Sequence, residues 1–411
     1  MTEYSEFLRQ TEARLLRYAA ITTQSKHFEG VWPTTPCQHD LARLLYDELR
    51  TLGVQASYDE AHCVVYGWLP AAHVTEDRPI ALIAHMDTAP DVQGWDVKPW
   101  VLRAYPGGDI VLNEAQTIVM SAADYPNLAQ YLGQDLVLTD GTTLLGGDDK
   151  AAIAALMTLA EFYRNHPALP HRTICLAFTP DEEVGGLAQD LDLNKLGAKF
   201  AYTVDGDHLG WYQDQTFNAA EATVTIKGRC VHPATAKGIM VNAVDLAGEF
   251  LSSLPRLEKP QYTEGTEGFF YVTSVHADCE RAELRLLIRE FDRIKFEARQ
   301  TMLHDSAKLL NDRCGEERVT VEIAQQYRNT GEILSQYPFL ISDLQAAIRA
   351  AGLAPQSEPF RGGTDGSALS FRGLPSPNLS AGYENAHSRF EFVPVSSMAK
   401  NVEILIHLTE R

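Results

Sequence analysis

No two of the six cysteines, at positions 37, 63, 175, 230, 279 and 314, stand in a CxxC spacing. That removes the common thiolate-zinc and dithiol redox motifs. Nor is a disulfide framework implied in a chain of 411 residues. Cys175 and Cys230 lie in apolar runs, where a buried free thiol is the expected state. The chain also lacks an apolar run approaching the roughly 20 residues that span a bilayer. Its start, Met1-Thr2-Glu3-Tyr4-Ser5-Glu6, is acidic and then amphipathic, unlike a signal peptide. There is no internal repeat and no low-complexity tract. No basic stretch offsets the formal net charge of −20, which argues against a nucleic-acid partner. A reduced, cytoplasmic protein with no membrane partner is the expectation.

What the chain does have is enough apolar material, 45%, for a large core and a length that suggests two domains. Tyr4 to Ala20 and Cys37 to Leu52 read as helices, the second ended by Gly53. Pro79 to Ala84, Thr173 to Phe178 and Phe200 to Val204 are short, continuous apolar runs. Such runs suit strands covered on both faces. Asp149 to Asn165 reads as a helix between them, and the alternation predicts an α/β sandwich. Residues 91–135 show weak periodicity. Near residue 217 the pattern changes to half-exposed strands. Strand, helix, strand, strand, helix, strand then follow, the ferredoxin-like order. The buried α/β pattern resumes after about residue 330. Residues 1–216 and 330–411 are therefore expected to form one domain and 217–329 an insertion.

Chemistry-bearing residues gather at the ends of the buried runs. Thr173 to Phe178 is followed closely by Asp181-Glu182-Glu183. Two adjacent glutamates there make sense if one binds a metal and the other handles a proton. His85 and Asp87 are two apart at a strand end, so they point to one side. Asp87 is placed to orient His85. Asp148 opens a helix after Gly146-Gly147, and Asp205 follows Ala201 to Val204. His387 lies in the last segment. Each motif alone is weak, since caps and loop carboxylates are common. Gathered at one sheet edge, they would leave uncompensated charge that two divalent ions balance. Mixed histidine and carboxylate ligands favour Zn²⁺ over Mg²⁺, with Mn²⁺ or Co²⁺ as substitutes. Asp149 and Lys150 are expected to stabilise the turn and helix start. His62, His208 and His304 carry no matching pattern, and His208 stays a minor candidate because it lies close to Asp205.

The runs Ala84 to Thr88, Leu145 to Lys150, Thr179 to Gly185 and Val204 to Gly206 resemble the peptidase T family of zinc tripeptide aminopeptidases. So do Val231-His232-Pro233, Met240 to Ala243, Ile288 to Asp292 and Arg361 to Gly366. The resemblance implies a zinc-exopeptidase-like α/β/α catalytic domain with an inserted ferredoxin-like α+β lid domain. It implies two Zn²⁺ per subunit, with Asp148 bridging. His85 and Asp205 would complete one site, Glu183 and His387 the other. Glu182 would be the general base for attack by a metal-bridging water on a short peptide, with tripeptides the expected length. Asp87 would orient His85, and His232 would polarise the scissile carbonyl. Asn242, Arg289 and Arg361 would contact substrate, the arginines through its carboxylate. The plain alternatives are a turn for His232, a solvated strand face for Arg289 and a Gly-rich turn for residues 361–366. Related di-zinc dipeptidases, carboxypeptidases and N-acyl-amino-acid deacylases share the metal set and form the rival reading. Inserted domains of this type often dimerise, so a homodimer is an expectation without a motif of its own. The chain departs from the family at Ser388, where Gly is common, and at Phe390, where a second His is common.

Overall fold

The computed structural model describes residues 3–186 and 188–410. Cα packing divides the chain into two compact units. The first is Met1–Asp214 with Glu332–Glu358 and Thr364–Arg411; the second is Gln215–Gly331 with Pro359–Gly363. The short return at 359–363, grouped with 330–411 from sequence, packs with the second unit for a visible reason. Phe360 N donates to Gln215 O at 2.9 Å, and Arg361 bonds to the 263–267 loop.

Among the described residues the first unit holds an eight-stranded sheet. Its spatial order is Gln55–Asp59, Val64–Leu69, Ile174–Thr179, Ile80–His85, Phe200–Val204, Asn378–Leu379, Trp211–Gln213 and Gln356–Ser357. The four strands from Ile174–Thr179 to Asn378–Leu379 run parallel. Successive side chains leave opposite faces of a strand. Leu82 and Ala84 therefore join Leu176, Phe178 and Tyr202 in one core, and Ala81 and Ile83 join Cys175, Ala177 and Ala201 in another. Burial on both faces is why these runs are apolar throughout, each large side chain contributing about 1.5–3 kcal/mol. Helices Glu3–Ala19, Gln38–Thr51, Gly147–Asn165, Pro338–Ala350 and Val395–Thr409 close the first core through Leu15, Leu45, Leu156, Leu344 and Leu405. Leu196 and Leu369, from the short helices Leu193–Leu196 and Asp365–Phe371, line the second. The expected α/β/α layering is present.

The weakly periodic stretch 91–135 contains strands of three or four residues, too short to display a period. Trp100–Leu102 pairs with Leu136–Leu138, which pairs with Val393–Pro394. Ile110–Asn113 and Ile118–Met120 form a separate hairpin. A small core of Tyr105, Leu128 and Phe392 packs there.

The second unit is a four-stranded antiparallel sheet in the order Phe269–Ala277, Arg281–Glu290, Asn218–Lys227 and Val319–Tyr327. Ala222, Val224, Ile226, Leu284, Leu286 and Ile288 pack with Phe250 of helix Ala243–Ser253 and with Phe296 and Leu303 of helix Arg293–Cys314. Element order and pairing are those of the ferredoxin-like arrangement. Cys230, expected to be buried, is exposed, because the strand ends at Lys227 before reaching it.

Candidate metal centre

The parallel strands bring their carboxyl ends to one edge. His85 is paired with Thr179 in register, so Asp87 and the Asp181-Glu182-Glu183 turn emerge side by side. Asp181 holds a left-handed backbone, φ 58°, unfavourable for a residue with a Cβ. Its carboxylate anchors that turn by accepting from Thr34 N at 2.7 Å, from Gln38 Nε2 at 2.7 Å and from the Thr34 hydroxyl. Asp87, fully buried, takes Glu182 N at 2.9 Å on one oxygen and Glu183 N at 3.2 Å on the other. One aspartate thereby aims both glutamates and, at 3.3 Å from His85 Nδ1, the histidine too.

At the centre stands Asp148, just ahead of a helix whose regular dihedrals begin at Lys150. One carboxylate oxygen lies 2.9 Å from His85 Nε2 and the other 3.5 Å from His387 Nε2. His387 Nε2 is also 2.8 Å from Glu183 Oε2. Each ring has a carboxylate at Nδ1, buried behind His85, where the Asp87 backbone carbonyl also lies 3.1 Å away, and exposed behind His387. Asp87 lies at Nδ1 of His85, and Asp91 lies 3.2 Å from Nδ1 of His387. A carboxylate behind a ligating imidazole fixes its tautomer and raises its basicity. Asp91 was not singled out from sequence; its spacing from Asp87 carries no motif.

Ligand atoms of His85, Asp148 and Glu183 lie within 4.8 Å of one another, and so do those of His85, Asp149 and Asp205. Asp149 was expected only to steady the helix start. Instead it is fully buried and accepts from His85 N at 3.3 Å through Oδ2, while Asp205 accepts from Tyr383 Oη at 2.8 Å. Among the described residues, Asp149 Oδ1, Glu183 Oε1 and Asp365 Oδ1 are buried without a hydrogen-bond partner. A buried, unpaired carboxylate oxygen is costly unless a cation meets it. The donor set of imidazole and carboxylate therefore fits divalent metal ions.

Protonation follows the same crowding. Burial opposes ionisation of Asp148, but hydrogen bonds from His387 and His85 hold it below the usual carboxylate range. Burial and the charge of Asp148 push Glu183 up to about 8 and Asp205 up to about 6. Glu182 is raised well above its usual range by burial, against the pull of His85 and helped by Asp205, Asp365 and Glu183. His387 is raised to about 11 by Asp148 and Glu183. Asp365, also missed from sequence, accepts from Thr179 Oγ1 at 2.7 Å and is pushed up to about 7 by burial. Its signal was its place inside the Gly-rich run 361–366.

The remaining candidates lie in the second unit. His232 is exposed, and its Nδ1 accepts from Ala234 N at 3.2 Å. Asn242 caps helix Ala243–Ser253 by accepting from Val244 N at 3.1 Å. Arg289 is half-buried, donates to Ile288 O at 3.0 Å and lies over the Tyr327 ring. Arg361 donates to Gly265 O at 2.9 Å, Glu267 O at 3.0 Å and Thr263 Oγ1 at 2.8 Å. At the two departures, Ser388 Oγ accepts from Phe390 N at 3.0 Å, and Phe390 packs on Tyr125 with ring centroids 5.2 Å apart.

Peptidase T of Geobacillus thermodenitrificans strain NG80-2 is 44% identical over 395 residues, 96% of each chain. The chain belongs to the peptidase T family. Residues 215–318 match the peptidase dimerisation domain family. A crystal structure of aminopeptidase PepT from Bacillus cereus ATCC 10987 superposes with a TM-score of 0.75 at 21% identity, over 98% of both chains. A tripeptidase structure from Staphylococcus aureus subsp. aureus mu50 gives 0.74 at 22%, also over 98% of both. At those identities the two structures speak for a shared fold. No helix among the described residues is long and apolar enough to cross a membrane.

Proposed function

We propose that the chain is a zinc-dependent aminopeptidase that removes the N-terminal residue of tripeptides. The observation that carries this reading is Asp148, one oxygen on each of two histidines and unpaired carboxylate oxygens beside it. Membership of the peptidase T family directs the chemistry to short peptides. Asp148 would be shared by two ions. His85 and Asp205, with Asp149 as an added donor, would hold one; Glu183 and His387 would hold the other. Bound there, the ions would supply Lewis-acid polarisation of the scissile carbonyl and acidify a water.

The chain's own residues supply the rest. Glu182, aimed by Asp87 and inclined to keep a proton, suits a group that takes a proton and gives it to the leaving amine. Cations nearby would draw its pKa back toward neutrality. His232 accepts a backbone N–H at Nδ1, which leaves the proton on Nε2. That tautomer is a donor, as polarising a carbonyl requires. Asn242, Arg289 and Arg361 are assigned to the substrate backbone and carboxylate. The dimerisation-domain match supports a homodimer. A cytoplasmic location belongs to the same proposal.

The test is product analysis by mass after metal-loaded protein meets Ala-Gly-Leu, whose two ends differ in mass, together with Ala-Ala and N-acetyl-Ala, with Glu182→Gln as control. Release of the first residue from the tripeptide, absent in the variant, is expected. Turnover of the acetylated substrate or the dipeptide alone would move the function to a deacylase or dipeptidase.

A further inference from the structure

His387 rides on a loop whose two ends are pinned together. Glu384 N donates to Phe392 O at 2.9 Å, and Phe392 N donates back to Glu384 O at 3.0 Å. Between those ends, and outside the ligand set, lies Glu391. It is buried, although it sits in the run Phe390-Glu391-Phe392-Val393, where an apolar side chain would be easier to bury. Both its oxygens are engaged. Oε2 accepts from Leu145 N at 3.0 Å and Gly146 N at 2.7 Å, and Oε1 accepts from Asp148 N at 2.8 Å. These are amides of the Leu145–Asp148 turn that no helical carbonyl could take, since they precede the helix or belong to its first turn. The approach is close enough to restrict the turn. A Cβ on Gly147 would stand 3.0 Å from Glu391 Oε1 and would collide with Val393 Cγ2. Gly146, at φ 77°, supplies the left-handed bend that presents the amides to one carboxylate.

We infer that Glu391 is a positioning residue that fixes the separation of Asp148 and His387. One side chain joins the backbone of the shared carboxylate to the loop of the second histidine, four residues away in sequence. Metal affinity depends on donors held within a fraction of an ångström of their working places. Glu391 supplies that restraint without touching an ion or the peptide. Its three accepted bonds need both oxygens as acceptors, which a glutamine cannot provide, because its amide nitrogen only donates.

The inference rests on the metal reading, and the experiment separates the two. Stripped protein is reloaded, and Zn²⁺ affinity is read by competition with a chromophoric chelator, with the visible spectrum of the Co²⁺ form alongside. Folded Glu391→Gln is expected to bind about 10–100-fold more weakly, the usual effect of losing an outer-shell partner. Its cobalt spectrum should shift, and kcat should fall with KM for the tripeptide unchanged. Wild-type affinity and spectrum in the folded variant would overturn the inference, even if its melting temperature dropped, because a purely structural role predicts that pattern. If Glu391→Gln does not fold, Glu391→Asp, still a carboxyl but one methylene shorter, takes its place in the same titration. Wild-type protein that takes up no metal would sink the metal reading instead. Hydrogen exchange of metal-free protein then decides the inference. In a folded variant the Leu145, Gly146 and Asp148 amides should exchange faster together with the amides of the His387 loop, and equal exchange, or faster exchange at the turn alone, would overturn it.

Discussion

Carboxylates crowd the strand ends of the first unit beyond what their donors satisfy, and Asp149 Oδ1 and Glu183 Oε1 stay buried without a partner. Candidate groups of the second unit are held the opposite way. Arg361 gives three hydrogen bonds to its own unit, Asn242 caps a helix, and His232 stands exposed. A fold tolerates unpaired buried charge only where something else meets it. A satisfied polar group, by contrast, is explained by the fold alone. The first pattern therefore announces a ligand by itself, whereas the second needs a substrate to reveal any further role.

The largest effect should come from removing the proposed proton carrier, Glu182. Glu182→Gln should lower kcat by about 10²–10⁴-fold while both metal ions remain bound, measured as peptide turnover beside metal content. Loss of metal in that variant would show that Glu182 belongs with the ligands. Next comes Asp149, proposed as an added donor to one ion. Asp149→Asn should weaken metal affinity by about 10–100-fold, read by chelator competition. Unchanged affinity would return Asp149 to the purely structural role first expected of it.

In the second unit the contrast can be broken directly. Arg361→Lys keeps the charge but not the fork that holds the 263–267 loop. A lower melting temperature together with a raised KM is expected. A lower melting temperature with KM unchanged would leave Arg361 a structural residue and widen the contrast.

The smallest effect is on pH. In metal-free protein Glu183 and Asp205 titrate at about 8 and about 6, above their ordinary values, because burial disfavours their charge. A carboxyl raised by folding stabilises below its unfolded pKa, and that contribution is lost as pH climbs through the folded one. His387, raised by Asp148 and Glu183, acts with the same sign from its ordinary value upward. Asp148, held low, has the opposite sign, but its window lies below pH 4. The melting temperature of stripped protein should therefore fall between about pH 5 and about pH 8, and metal should remove the slope. A flat profile in stripped protein would contradict the crowding.

The inner strands were legible because burial on both faces leaves an unbroken apolar run, as from Ile80 to Ala84. Residues that end such runs, His85 and Asp205 among them, could be picked out for the same reason. Strands Gln356–Ser357 and Asn378–Leu379 are too short to carry a period, so the sheet's far side could not be read. The burial of Asp149 was not legible because its neighbour Lys150 begins the regular helix, and residue order does not say that Asp149 turns inward. Glu391 and Asp365 were missed because their partners are distant in the chain: the Leu145–Asp148 amides for Glu391, and Thr179 for Asp365.

The strand Asn378–Leu379 sits between Phe200–Val204 and Trp211–Gln213, and His387 follows it. A nascent chain halted anywhere before that strand lacks an interior member of its sheet and one of the two histidines. The centre is therefore completed only when residues 378–387 join strands that precede them in the chain. A chain cut before Asn378 should keep His85, Asp148, Glu183 and Asp205 yet leave the centre open on the His387 side.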